Sequence, residues 1–323
     1  MKLTTTLRVI CLLIMGSWLT GTAIAQTRPS SERADALILN TELVSITVSV
    51  TDQQGRYFTG LDRNSFSIFE DGIAQEIAFF GVDDGPASIG IVFDHSGSMK
   101  GERNNRAKEA LARLIQSGHP QDEYSLVAFS DRIHTVMERV YDGEVLTRAV
   151  DNTSSQGNTI LFDAVAKAVD LVKKGRWAKR ALIIISDGED NQSRITLRKL
   201  RQQLSESGVT VYAVITEASN LPRVWGAEDL RSLSAYTGGM AHSPENIDQV
   251  DAAFDRIALE MRQRYSVGYL PTSIRDDRKW RSLKVKLAPP PGAPKLSVRS
   301  KAGYYPIPGF EQSGKEALDD GND

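Results

Sequence analysis

Cysteine is almost missing from this chain. Its single copy, Cys11, lies in an apolar stretch close to the amino terminus. Removal of that stretch would leave no thiol, so disulfide stapling, thiol catalysis and zinc-thiolate sites are excluded from the remainder. Histidine is scarce as well. His95, His119, His134 and His242 are scattered, with no two at a metal-pairing interval. Neither sign of charge prevails: 39 basic against 41 acidic residues give a formal net charge of -2. Such a balance gives no electrostatic drive towards nucleic acid or an anionic membrane. No G-x-x-x-x-G-K-[ST] loop occurs, which excludes a phosphate-loop NTPase. Gly97-Ser98-Met99 is not a G-x-S-x-G elbow, and no histidine is placed by sequence to serve Ser98. No internal repeat of fixed period is present.

What is present begins with a leader. Lys2 and Arg8 precede an apolar run from Val9 to Leu19, and Ala23-Ile24-Ala25 has the small-residue form of a cleavage site. The run is too short to span a bilayer comfortably. Residues 1–25 are therefore expected to be a cleaved signal peptide, with retention as an anchor the alternative. The processed chain would carry 37 basic and 41 acidic residues, a net charge of -4. It would be secreted or periplasmic, without stable membrane insertion. Residues 26–35 are polar and expected to be a flexible lead-in, and 306–323 a disordered tail.

Hydrophobic patterning divides the rest. Val44, Ile46, Val48 and Val50 alternate with Ser45, Thr47 and Ser49, the mark of a half-buried strand. Phe66 to Phe69 and Ile77 to Phe80 read as strands around a turn at Glu70-Asp71-Gly72. From Ala87 onward, fully apolar strands alternate with amphipathic helices, which calls for a sheet with crossover connections. Those strands are Ala87–Phe93, Tyr124–Phe129, Ala181–Ile185 and Val209–Ile215, with an edge strand at Ile133–Met137. After Arg264 short alternating strands return, at Tyr265–Tyr269, Leu283–Leu287 and Leu296–Arg299. The economical arrangement is a doubly wound, mostly parallel α/β domain (85–264) inserted into a small β-sandwich-like module split between 36–84 and 265–305. Separate flanking β units would each be too small for a good core.

Three loops at the expected strand ends carry oxygen ligands. Asp94-His95-Ser96-Gly97-Ser98 follows the first apolar strand, and Ser186-Asp187-Gly188 follows Ala181–Ile185. Gly157-Asn158-Thr159 immediately precedes a helix. In a parallel sheet all three lie on the carboxyl edge, where ligands bind. Asp94, Ser96, Ser98, Thr159 and Asp187 could offer oxygens to one hard cation, with water or an outside ligand completing six. Each loop also has a plainer reading: Ser96, Ser98 and Thr159 as helix caps, Asp187-Gly188 as a turn. Glu189 and Asp190 read as a solvated acidic loop, with electrostatic support of the site as the alternative, and His95 as an exposed loop histidine. The basic run Lys173–Arg180 reads as a solvated connection around one buried Trp, with an anionic-surface patch as the alternative.

The motif Asp94-His95-Ser96-Gly97-Ser98-Met99, with Thr159 in Gly157-Asn158-Thr159-Ile160 and Asp187 in Ser186-Asp187-Gly188, resembles the von Willebrand factor type A family. The β segments on either side are similar to those of secreted bacterial proteins in which an A domain interrupts a β module. The resemblance implies a metal-dependent adhesion site: a divalent cation, magnesium with manganese or calcium as alternatives, held by Asp94, Ser96, Ser98, Thr159 and Asp187. It implies a protein partner that supplies an acidic side chain to the ion, and binding rather than catalysis. An enzymatic rival is a haloacid dehalogenase-like phosphatase, whose acidic loop Ser186-Asp187-Gly188-Glu189-Asp190 resembles. That chemistry wants an aspartate two residues after the nucleophile, where this chain has Ser96. A structural envelope scaffold with a vestigial metal site is the third reading. Partner identity and oligomeric state are not written in the sequence.

Overall fold

A computed structural model of the chain describes residues 43–99, 101–151, 158–216, 225–272 and 279–306. The leader, the lead-in, residues 36–42, Gly157 and the tail beyond 306 lie outside these residues. So does the side chain of Ser98.

The central sheet is built from the continuous apolar runs. Its strands are β5 (Ser88–Asp94), β6 (Glu123–Phe129), β7 (Ile133–Val140), β8 (Arg180–Ser186), β9 (Thr210–Ile215) and β10 (Ala241–His242). They lie in the order β10-β9-β8-β5-β6-β7, parallel except for the edge strand β7. All seven residues of β5 are buried, as a strand covered on both faces requires. Ile89, Ile91 and Phe93 point to one face, where they pack with α1 (Glu102–Gln116), α2 (Gly143–Asp151) and α6 (Ile247–Arg262). Val92 points to the other, against α3 (Leu161–Lys173), α4 (Leu197–Ser207) and α5 (Trp225–Thr237). Gly90 lets α3 approach that closely: a Cβ there would sit 2.7 Å from Val172 and 2.4 Å from Leu182. The order runs outward from β5 in both directions, so the chain reverses its winding there. The carboxyl end of β5 is thus the switch-point crevice of a doubly wound sheet.

The remaining strands are β1 (Val44–Thr51), β2 (Phe66–Glu70), β3 (Ile73–Gln75), β4 (Ile77–Val82), β11 (Tyr265–Tyr269), β12 (Arg281–Leu287), β13 (Ser297–Ser300) and β14 (Gly303–Tyr304). They form two four-stranded sheets, β13-β1-β11-β4 and β14-β12-β2-β3. Each sheet mixes strands from before and after the α/β unit, through antiparallel pairs such as β1–β11 and β2–β12. Ile46, Val48, Phe66, Ile68, Val267 and Tyr269 meet in one core between them. One local expectation is corrected. Phe66–Phe69 and Ile77–Phe80 do not flank a shared turn: β2 pairs with the short β3, while β4 joins the other sheet beside β11. The turn itself is real, with Asp71 and Gly72 both at positive φ, but the chain between it and β4 is just long enough for a three-residue strand.

The chain crosses between the two halves twice, at 83–87 and at 263–264, and polar groups tie the crossings together. Asp83 N–H donates to the Arg264 carbonyl at 2.7 Å. Arg264, only 2% exposed, donates to the Asp83 carboxylate at 3.1 Å and to the Tyr212 hydroxyl at 2.8 Å. Lys179 reaches the same carboxylate at 3.4 Å and donates to the carbonyls of Asp83 and Met261. Glu260, fully buried at the end of α6, accepts from Ser49 at 2.9 Å, Tyr57 at 2.7 Å and Arg299. The basic run thus has a structural member: Lys179 is a seam residue, not part of a solvated connection.

Burial holds Lys179 well below the usual lysine range, at about 8, with the Asp83 carboxylate opposing and Arg264 and Arg262 adding to the depression. Below pH 8 the amine is charged folded and unfolded. Between there and its unfolded value the unfolded chain binds the extra proton, so stability rises with pH. We therefore expect wild type to gain stability relative to Lys179→Met between pH 8 and 10, with a slope approaching about 1.4 kcal/mol per pH unit. Urea denaturation of both proteins across that range measures it. Parallel curves would remove Lys179 from the seam's account.

Candidate metal centre

Asp94 ends β5 and has no exposed surface. Both its oxygens are held. Oδ1 accepts from the Ser96 N–H at 2.7 Å, and Oδ2 accepts from the Ser186 hydroxyl at 2.6 Å. The sheet makes the second bond: Phe93 is in register with Ile185, so the next residues of β5 and β8 are Asp94 and Ser186. Ser186 Oγ in turn accepts from the Gly188 N–H at 3.0 Å, and the Ser186 carbonyl accepts from Thr216 N–H at 3.0 Å. Burial pushes the Asp94 carboxyl up to about 6. The donors Ser186 and Ser96 oppose that rise, and the charge of Asp187 adds to it. Among the described residues no cationic side chain is ion-paired with Asp94.

Asp187 follows Ser186 directly and is 6% exposed. Its Oδ1 accepts from the Glu189 N–H at 3.0 Å, closing the turn that Gly188 makes at φ +92°. A backbone contact fixes this turn from behind. A Cβ on Gly226, in the first turn of α5, would lie 1.6 Å from the Gly188 carbonyl oxygen, so only two glycines can meet there.

Thr159 reaches the same edge through β6. The strand runs parallel beside β5 with Asp94 opposite Phe129, and the Ile160 N–H donates to the Ser130 carbonyl at 2.9 Å. Thr159 is buried, while the preceding Asn158 and Gly97 in the first loop are exposed. Ser96 is buried; its carbonyl accepts from Met99 N–H at 3.1 Å in the turn Gly97–Met99, which contains Ser98. Ser96, Ser98 and Thr159 do not occupy the cap positions of the two neighbouring helices. The cap of α1 is Gly101 and that of α3 is Ile160, and neither makes a side-chain capping bond.

Two further expectations are corrected. His95 is not an exposed loop residue. It is fully buried, its ring 5.0 Å from that of Phe93, and its N–H donates to the Phe129 carbonyl. Burial pulls its pKa down to about 4, with Lys108 and His134 contributing. Nor is Asp190 free in solvent: it is half-buried, and its carboxylate accepts from Phe162 N–H at 3.2 Å and the Ser193 hydroxyl at 2.5 Å. Ser186 is the neighbour of the candidate ligands that sequence reasoning passed over. Ser186 sits in the quoted motif, but only the strand register reveals its bond to Asp94.

The donor set is chemically uniform. It consists of carboxylate and hydroxyl oxygens, suited to a hard cation rather than to one that prefers nitrogen or sulfur. Among the described residues, no three His, Cys, Asp or Glu side chains gather as a metal cage. Any ion here would have to rely on two carboxylates and neutral hydroxyls.

The sequence profile of the von Willebrand factor type A domain matches residues 88–255, which is 168 of the 323 residues. The uncharacterised protein sll0103 of Synechocystis is 24% identical over 180 residues, covering 54% of this chain and 42% of that protein. Inter alpha-trypsin inhibitor heavy chain 4 of Mus musculus is 29% identical over 111 residues, covering 31% of this chain and 12% of its own. The matched regions thus span less than half the length of these curated relatives. Among solved structures, a von Willebrand factor type A protein from Catenulispora acidiphila aligns with a TM-score of 0.47 and 11% identity, covering 82% of this chain and 75% of that one. Proximal thread matrix protein 1 of the mussel byssus, solved with zinc in its metal-site motif, aligns at 0.47 and 18%, covering 59% and 49%. Domains of this family are mostly non-enzymatic interaction modules that commonly bind a divalent metal. With more than half of its residues matched by the profile, the chain belongs to the von Willebrand factor type A domain family.

Proposed function

We propose that this chain is a metal-dependent binding module that uses a divalent cation, magnesium in the first instance, to recognise an acidic group on a protein partner. Asp94, Ser96, Ser98, Thr159 and Asp187 would hold the ion. The observation that carries this reading is Asp94: a buried carboxylate with both oxygens bonded to neutral donors and no described cation paired with it. An uncompensated buried carboxylate is costly, and a bound cation is the natural compensation. When bound, such an ion supplies positive charge and a coordination position for a partner's oxygen. The chain's own residues do the rest. Ser186 and the Ser96 amide orient Asp94, the Gly188 turn orients Asp187, and the neutral hydroxyls keep the anionic count at two.

That charge count favours binding to an anion. Two carboxylates just neutralise a divalent cation, so an incoming carboxylate meets less repulsion than four resident acids would impose. We assign the A-type domain to 85–264 and the β module to 36–84 with 265–305. With residues 1–25 as a leader, the module would act outside the cytoplasm, and binding is its role in preference to catalysis. Among the described residues, no helix is long and apolar enough to cross a membrane.

Two outcomes are expected. Saturating magnesium should raise the melting temperature of the wild type, the stabilisation reaching about 2.7 kcal/mol at a hundredfold excess over the dissociation constant. Asp94→Ala and Asp187→Ala should each abolish that rise while still unfolding cooperatively. Retention of the full shift by both variants would contradict the assigned site. In a pull-down from envelope extract, the wild type should capture a protein in magnesium and release it to chelator, and Asp94→Ala should capture none. Capture that ignores chelator would remove the ion from the recognition step.

A further inference from the structure

The helix that follows Thr159 starts without a cap of its own. Ile160 occupies the cap position of α3 and makes no side-chain bond to the first turn. A helix start has backbone N–H groups without intrahelical partners, and here the loop after Asp187 supplies acceptors from outside. Phe162 N–H donates to Asp190 Oδ1 at 3.2 Å, and Asp163 N–H donates to Ser193 Oγ at 3.1 Å. The exchange is reciprocal, since the Asp163 carboxylate accepts from the N–H groups of Arg194 at 3.1 Å and Ile195 at 3.0 Å.

The same zipper extends one residue further, onto Thr159. Thr159 N–H donates to Asn191 Oδ1 at 3.0 Å. The Thr159 carbonyl accepts from Asn191 N–H at 3.1 Å and Gln192 N–H at 3.2 Å. Both polar groups of the Thr159 main chain are therefore bonded to the loop that begins with Asp187. One of the three bonds depends on a side chain, that of the exposed Asn191.

We infer that Asn191 is a positioning residue of the metal site, whose side-chain carbonyl locks Thr159 to the Asp187 loop so that these two ligands are set as one body. The inference rests on the metal-binding reading above, and goes beyond it by naming a residue that touches no ion. A hydroxyl ligand has a weak intrinsic hold on a hard cation, so its contribution depends on being placed before the ion arrives. Residues that orient metal ligands commonly change affinity by tenfold or more when removed.

The test compares wild type, Asn191→Ala and Asn191→Asp. The alanine variant removes the acceptor for Thr159 N–H, and the aspartate variant keeps an oxygen there. Three measurements are made on the full chain: melting temperature in chelator, magnesium affinity by titration calorimetry, and amide hydrogen exchange at Thr159. Because Asn191 is exposed, Asn191→Ala should melt in chelator within about 2 °C of wild type, in line with the small effect of surface substitutions. It should bind magnesium about tenfold more weakly and exchange the Thr159 amide faster. Asn191→Asp should recover both properties. Wild-type affinity in Asn191→Ala overturns the inference alone, and so does an aspartate variant as weak as the alanine one. Failure of the wild type itself to bind magnesium overturns the metal reading, and this inference with it.

Discussion

A carboxylate with no exposed surface and, among the described residues, no cation paired with it is the constraint on which the candidate site turns. Burying an ionised group costs several kcal/mol even after relaxation, unless hydrogen bonds or an opposite charge compensate. At Asp94 the fold provides hydrogen bonds from a backbone amide and a serine hydroxyl. These offset part of the penalty, and the elevated pKa shows that a part remains. Three features of the surrounding architecture shape the place where that charge sits. The β5–β8 register delivers Ser186, the glycine pair at 188 and 226 fixes the turn of Asp187, and the winding reversal at β5 opens the crevice.

The β module and the α/β unit are joined by the opposite solution. At the seam, buried charges are paired and multiply bonded. Glu260 collects two hydroxyls and a guanidinium, while Asp83 collects Arg264 and Lys179. Breaking such a group by removing one partner typically costs about 3–5 kcal/mol, because it strands the other charge. The contrast between the two regions is informative. The same fold pairs the buried Glu260 and the half-buried Asp83 with its own cations where the chain crosses between halves, whereas at the sheet edge no described cation is paired with Asp94.

Most of the frame was legible because its signals are local. Seven consecutive buried residues in β5 leave a continuous apolar run, and the two-residue alternation of β1 leaves its own pattern. What stayed hidden depends on partners far away in sequence. Strands β10 and β14 have two residues each, too few for any period. Among its described side chains, helix α2 commits Leu146 and Val150 alone to full burial, a weak stripe. His95 was misread because nothing adjacent to it signals burial; the ring of Phe93 and the carbonyl of Phe129 do that in three dimensions. Among the candidate site residues, Asp94, Thr159 and Asp187 could be nominated by type and order. Ser186 and Asn191 could not, since their roles are bonds made across 92 and 32 residues.

The hydroxyl-rich composition of the candidate metal centre bears on what a partner would offer. A cage of many acids would hold a divalent ion alone, and its surplus negative charge would turn away any further anion. The proposed set divides the work differently. Two acids supply neutralising charge, and neutral oxygens complete the shell without adding to it. Neutral donors hold weakly, so their geometry must be set by the protein in advance. That requirement gives physical sense to a loop that clamps both main-chain groups of Thr159 and caps α3 from outside. In the proposed reading, the clamping of that loop and the scarcity of acid at the site would serve one end: a cation held in place with no surplus negative charge to turn an approaching carboxylate away.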